Sequence, residues 1–253
     1  MKAEQHGGII SVHGMDMYYE IHGKGKPLLI LHGFTGSGAG LAEVFKDFTK
    51  SYQLIIPDLR GHGRSTNPSN EYLFHQTALD VFALLDHLKI NNCSAVGFSG
   101  GGMTLLHMAF QQPNKISSMA LVSAAPYFPQ STRDIMKQVT LESHTKDEWE
   151  AMRKIHMYGD EQIKMLWKQA NAFSETKDMN FTSDKLSKIK AKTFIVQGDR
   201  DPIYPLELTV EMYKGIPNAY LWIIPNGGHG ISVDVIPYFL NNLEKFMHWS
   251  GAV

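Results

Sequence analysis

Residues 95–103 read Ala95-Val96-Gly97-Phe98-Ser99-Gly100-Gly101-Gly102-Met103. An apolar run ends at Val96, a serine flanked by glycines follows, and a helix-like apolar stretch begins at Met103 and reaches Phe110. Gly97-Phe98-Ser99-Gly100-Gly101 fits G-x-S-x-G in the context that gives the pattern meaning, a strand turning straight into a helix. The turn forces unfavourable dihedrals on the serine and brings the backbone and the crossing helix close together, which glycine tolerates. Without the flanking strand and helix, a serine capping a helix after a glycine-rich turn would be the better reading. With them, Ser99 is the candidate nucleophile.

On both sides of this turn, short apolar runs alternate with segments of helical period. Residues 28–31, 54–56, 119–122, 194–196 and 221–224 are bounded and apolar throughout, as strands covered on both faces are. Ala78, Val81, Phe82, Leu85 and Leu88 make one helical stripe. Leu206, Val210 and Tyr213 make a second, and Ile236, Leu243, Phe246 and Met247 a third. The start differs: residues 9–12, a turn at His13-Gly14, then Met17, Tyr19 and Ile21 at period two predict an antiparallel hairpin. The fold class is α/β, a mostly parallel twisted sheet with helices on both faces. From 125 to 190 no strand pattern occurs. Trp149, Met152 and Ile155, then Ile163, Leu166, Trp167 and Ala170, repeat at helical spacing. A structureless loop of that length is improbable, so residues 125–190 read as a helical cap inserted into a core of residues 1–124 and 191–253.

Bulk properties exclude several function classes. The chain has 253 residues, 43% of them apolar, and a formal net charge of −1, so neither nucleic acid nor an acidic membrane surface is an expected partner. The lysines at 185, 188, 190 and 192 alternate with Leu186, Ile189 and Phe194 and read as a solvated face beside a buried one. Cys93 stands alone, which rules out an intrachain disulfide and suits a small buried side chain. No signal-peptide pattern opens the sequence and no apolar run approaches ~20 residues, so the expected location is cytoplasmic. No metal-ligand spacing and no phosphate-binding G-x-x-x-x-G-K occurs, so no cofactor is expected.

A serine hydroxyl needs a neighbouring base. Of twelve histidines, His229 lies in Asn226-Gly227-Gly228-His229-Gly230, after the last strand and before the last helix. That places it at the carboxyl edge of the sheet, where Ser99 also emerges. An acid should orient its ring. The strand at 194–196 runs into Gln197-Gly198-Asp199-Arg200-Asp201-Pro202, where two aspartates compete.

Ser99, this turn and His229 together resemble the α/β-hydrolase superfamily, in which the order is serine, acid, histidine. The resemblance implies Asp201 as the acid, with Asp199 capping or pairing with Arg200. His32-Gly33-Phe34 is similar to the family's oxyanion loop, which implies the N–H groups of Phe34 and Gly100 as donors and a structural role for His32. Asp58-Leu59-Arg60-Gly61-His62-Gly63-Arg64-Ser65 matches the family's D-x-x-G-x-G-x-S turn, expected to brace backbone and to take no part in catalysis. Gly100 departs from relatives that carry a larger side chain there, which surrenders packing.

The resemblance covers residues 8–124 and 191–253 and not the cap, where specificity is set. Epoxide hydrolases and haloalkane dehalogenases carry aspartate at the position of Ser99. The C–C hydrolases of aromatic ring cleavage usually place tryptophan after the histidine, where this chain has Gly230. The menaquinone-pathway synthase typically has arginine at the position of Met103. Ester hydrolysis, lactones and thioesters included, is the leading expectation, ahead of C–C hydrolase or lyase chemistry and of a triad-bearing ligand receptor. The expected partner is a small neutral ester. Phe34, Phe98, Trp149, Met152 and Trp167 are the candidate substrate-binding residues.

Overall fold

The alternation at the start of the chain folds as a hairpin, β1 (Gln5–Val12) against β2 (Met15–His22). His13 and Gly14 turn it with φ of 42° and 76°, the positive values that match a two-residue turn to the strand twist. Met15, Met17, Tyr19 and Ile21 all face the core. The computed structural model describes residues 5–249; positions 1–4 and 250–253 of the core segments assigned above lie outside it.

Six further strands follow: β3 (Lys26–Leu31), β4 (Tyr52–Pro57), β5 (Cys93–Phe98), β6 (Ile116–Val122), β7 (Lys192–Gly198) and β8 (Ala219–Ile224). The sheet order is β1-β2-β4-β3-β5-β6-β7-β8, antiparallel as far as β4 and parallel from there on. Alternation along the central strands sorts the core into two layers. Leu29, Leu31, Ile55, Ala95, Leu121 and Ile195 face one side, under the helices at Phe74–His87 and Gly100–Gln111. Leu28, Ile30, Leu54, Val96, Val122 and Val196 face the other, against Phe45, Phe48 and the Phe239, Leu243 and Phe246 stripe of the last helix, residues 236–248. Cys93 is buried in the first layer, and burial pushes its thiol up to about 12.

The helix at 206–215 departs from the expected stripe. Leu208, Thr209 and Met212 are its buried residues, whereas Tyr213 is exposed. Two apolar rows run along this helix, and the row through Leu208 and Met212 is the one that meets the core. Between β6 and β7 the chain forms four helices, at residues 130–136, 146–155, 159–172 and 183–186, with short 3₁₀ turns and one isolated bridge, Tyr127 to Asn180. Among the described residues no helix is long and apolar enough to cross a membrane.

Candidate active site

The backbone around Ser99 is dictated by contact distances. Ser99 has φ 47° and ψ −113°, outside the regions an L-residue favours. A Cβ on Gly97 would come within 2.6 Å of the Gly101 and Gly102 backbone, and one on Gly101 within 2.5 Å of the Leu31 carbonyl. Only glycine fits either position. The Ser99 N–H donates to the Val122 carbonyl (2.7 Å), tying the turn to β6.

Three chain segments that end at the carboxyl edge of the sheet meet there. Ser99 follows β5, Asp201 follows β7 and His229 follows β8. His229 Nε2 lies 3.0 Å from Ser99 Oγ, and His229 Nδ1 lies 2.8 Å from Asp201 Oδ2. A carboxylate only accepts, so Nδ1 carries the proton and Nε2 offers its lone pair to the serine hydroxyl. Asp201 is almost wholly buried and fully bonded. Its Oδ2 also accepts from Gln197 Nε2 (2.7 Å), and its Oδ1 from the N–H groups of Ile203 (2.8 Å) and Tyr204 (3.1 Å). Burial pushes this carboxyl up, but the His229 ring and the two backbone donors outweigh it and hold it below its ordinary value. Asp199 does not reach the histidine; its Oδ1 lies 3.9 Å from Arg200 Nε.

The expected oxyanion donors also converge. A Cβ on Gly100 would lie 3.2 Å from the Phe34 nitrogen and 3.3 Å from its Cβ, so the two loops are in close apposition. A side chain at 100 would require Phe34 to give way by a few tenths of an ångström. The Gly100 N–H opens the helix at Gly100–Gln111 and so has no intrahelical acceptor. The Phe34 N–H makes no protein hydrogen bond among the described residues.

His32 is buried, donating from Nδ1 to the Gly33 carbonyl (2.8 Å) and accepting the Leu59 N–H at Nε2 (2.9 Å). The 58–65 turn braces backbone: Asp58 accepts from the Gly38 N–H (2.7 Å), the Arg64 N–H (2.9 Å) and Arg64 Nε (2.7 Å), and Ser65 Oγ donates to the Asp58 carbonyl (2.6 Å).

The candidate substrate-binding residues divide. Phe98 is a correction: it shares the face of Val96, and its ring packs on Phe45 and Phe239 in the second core layer. Strand alternation turns it away from Phe34, which lies on the other face. Met152 and Trp167 build the cap's own core with Ile163 and Leu166, and Trp149 and Phe34 pack around them. The Phe34 ring is set among His62, Tyr72 and Phe173 at centroid distances of 4.6–4.8 Å. A cleft of about 380 Å³ between residues 61–70 and the helix at 159–172 contains none of Ser99, Asp201 and His229.

Three residues at the site, Tyr204, Ser123 and His156, escape sequence reading, while His62 belongs to the turn expected to brace backbone. Tyr204 is buried with its ring 5.3 Å from that of His229. Ser123, at φ 50°, accepts the N–H of Gly230 at Oγ (2.9 Å), which anchors the loop beside His229. His62 and His156 hold the Phe34 loop. Ser123, at the end of an expected strand, offered a positional signal; His156 offered none. Among the described residues no group of three or more His, Cys, Asp or Glu side chains is arranged to hold a metal ion.

A family model described as alpha/beta hydrolase fold matches residues 26–154. The human serine hydrolase BPHL is 25% identical over 252 residues, spanning 94% of this chain and 85% of its own. Non-heme chloroperoxidase CPO-A1 of Kitasatospora aureofaciens is 27% identical over 253 residues, spanning 87% and 90%. An esterase from Exiguobacterium antarcticum superposes with a TM-score of 0.80 at 23% identity, over 96% of this chain and 100% of that one, a likeness of fold.

Proposed function

Since the chain belongs to the α/β-hydrolase fold family, we propose that it is a serine hydrolase cleaving carboxylic esters, lactones or thioesters of neutral, moderately apolar small molecules through an acyl-enzyme. The observation that carries this reading is the hydrogen-bond chain from Ser99 Oγ to His229 Nε2 and from His229 Nδ1 to Asp201. Ser99 Oγ attacks the carbonyl carbon while His229 Nε2 takes its proton. The oxyanion receives the N–H groups of Phe34 and Gly100. The tetrahedral species collapses, the C–O (or C–S) bond to the leaving group breaks, and His229 returns the proton to it. Water then attacks the acyl carbon, His229 takes a proton from it, and release of the acid restores the Ser99 hydroxyl. Asp201 holds the tautomer and stabilises the imidazolium throughout.

The preference for neutral substrates rests on the cap's two arginines. Arg133 spends its guanidinium on the carbonyls of Phe128, Ser174 and Thr176, and Arg153 forms a two-point pair with Asp160. Neither is left over for a carboxylate. Ser99→Ala should abolish labelling by a fluorophosphonate and lower ester turnover by several orders of magnitude with the fold intact. A labelled alanine variant would remove Ser99 as nucleophile. Turnover of C–C diketones in place of esters would move the reading to C–C hydrolysis, and a burst without turnover would move it to a receptor.

A further inference from the structure

Three buried histidines grip three consecutive peptide planes of the Phe34 loop. His32 Nδ1–H donates to the Gly33 carbonyl, in the plane that carries the Phe34 N–H. The Thr35 N–H, in the next plane, donates to His62 Nε2 (3.1 Å), whose Nδ1–H donates to the Arg60 carbonyl (2.8 Å). The Thr35 carbonyl, in the third, accepts from His156 Nε2 (3.0 Å). His156 must carry its proton on Nε2, because its Nδ1 accepts the Gly63 N–H (2.8 Å).

Two features set His156 apart. First, the residue it holds is strained: Thr35 is β-branched and sits at φ 64°, a left-handed conformation that persists only where the surroundings impose it. Second, His32 and His62 belong to the core, whereas His156 ends the cap helix at 146–155 and lies 121 residues along the chain from Thr35. His156 has neighbours on the 146–172 helices that hold the adjoining turn. The Met157 N–H donates to the Gly63 carbonyl (3.0 Å), and Gln162 Nε2 donates to the carbonyls of Gly61 (3.0 Å) and Gly63 (3.1 Å).

We propose that His156 is a positioning residue that makes the oxyanion loop depend on a seated cap. Its Nε2–H holds the Thr35 carbonyl, which, together with the Gly36 N–H to Gly33 carbonyl bond across the turn (3.0 Å), keeps Thr35 left-handed and the Phe34 N–H aimed at the position beside Ser99. This rests on the hydrolase reading above and adds to it a route by which the cap acts on chemistry as well as on binding.

The two ends of the His156 ring can be separated by substitution. In His156→Asn the amide reaches only as far as Nδ1, so it keeps the Gly63 contact and loses Thr35. In His156→Gln the amide reaches the Nε2 position and can donate to Thr35. Gln162→Ala removes two contacts from cap to turn and none from Thr35. The readouts are kcat and KM on a neutral p-nitrophenyl ester and calorimetric affinity for an aryl trifluoromethyl ketone, whose adduct with Ser99 presents an oxyanion. We expect His156→Asn to lower kcat about 30-fold, with KM within threefold, and to weaken the ketone by a similar factor. His156→Gln should recover most of both losses. Gln162→Ala should raise KM and leave the ratio of ketone to substrate affinity unchanged. Equal behaviour of Asn and Gln, or a loss confined to KM, overturns the inference while leaving the hydrolase reading in place. A wild-type protein that does not bind the ketone overturns both. Unfolding of His156→Asn, measured by circular dichroism, with His156→Gln folded but no better at binding the ketone than Ser99→Ala, also overturns it.

Discussion

The turn at Ser99 and the cap above it serve one site under opposite kinds of constraint. Around Ser99 the limits are backbone against backbone: Gly97 lies on Gly101 and Gly102, and Gly101 on the Leu31 carbonyl, at distances no side chain survives. Nothing there can yield without moving the sheet. The cap helices at 146–155 and 159–172 instead share a small core of Met152, Ile163, Leu166 and Trp167 and reach the 61–64 turn through the side chains of His156, Tyr158 and Gln162 and the Met157 backbone, while Phe128, Met136, Phe173 and Phe181 on either side of them belong to the main core. Hydrogen bonds of this kind contribute on the order of 1 kcal/mol each and can be exchanged for water. The sheet-borne half of the site is therefore held by backbone against backbone, and the 146–172 helices by side-chain contacts of the exchangeable kind.

The sheet-borne half should show the larger effects. Asp201→Asn should lower turnover by on the order of 10⁴, because an amide beside Nδ1 favours the wrong tautomer of His229. Asp199→Asn should change turnover by less than about threefold on the same reasoning, since its carboxyl stands clear of the ring. Steady-state kinetics on one ester check both. The reverse ranking would move the acid to Asp199 and undo the account of a fixed triad.

The joint between the halves should register as a dependence of stability on pH. Burial lowers the affinity of His32, His62 and His156 for protons. Asp58 opposes this for His32 and His156, and Arg64 adds to it for His32. The unfolded chain takes up protons at these positions as pH falls below ~6.5, while the folded chain does not. Stability is then fully present above that value and is lost as pH falls toward the folded-state values, by up to about 1.4 kcal/mol per pH unit for each histidine. His107, lowered by burial to about 4, adds a further contribution of the same sign. Urea midpoints between pH 7.5 and 5 should fall accordingly, and His156→Gln should flatten the slope by about one proton. An unchanged slope in that variant would mean that His156 is not held neutral at the joint.

What the sequence made legible follows the same division. The strands, the serine turn, the glycine-rich loop of His229 and the helical nature of 125–190 are local patterns, each contained in a few neighbouring residues; the choice of Asp201 over Asp199 comes from the resemblance to the family. Leu206, Val210 and Tyr213 mislead because the helix at 206–215 offers two apolar rows, and only packing selects Leu208 and Met212. Phe98 was open to correct reading: its parity with Val96 assigns it to the face away from Phe34. His156 was not. Its partners stand 93 and 121 residues away, and a histidine at a helix end is ordinary in sequence. Tertiary side-chain contacts of this kind leave no period, spacing or turn signature.

The smallest effects belong to the cap's apolar surface, and they test whether it shapes selectivity. Phe34 links the two halves: its backbone lies against Gly100, and its ring packs on the cap cluster, on Tyr72 and on Phe173. An acyl group at Ser99 would lie beside that ring and under the cap, among apolar side chains and without a free arginine from the cap. Each added methylene should then improve kcat/KM by up to about 0.8 kcal/mol, roughly fourfold, until the space is filled. Acetate, butyrate and hexanoate esters of one phenol, with the leaving group constant, measure the gain per step and the length at which it stops. The succinate half-ester of the same phenol is the matched anion. Its carboxylate would leave water without an arginine partner, since Arg133 and Arg153 are both engaged, so it should fall below butyrate. Fastest turnover on the half-ester would break the comparison at its weaker side. It would require one of those arginines to leave its present partners, and so a cap that rearranges around its substrate instead of closing on it as it stands.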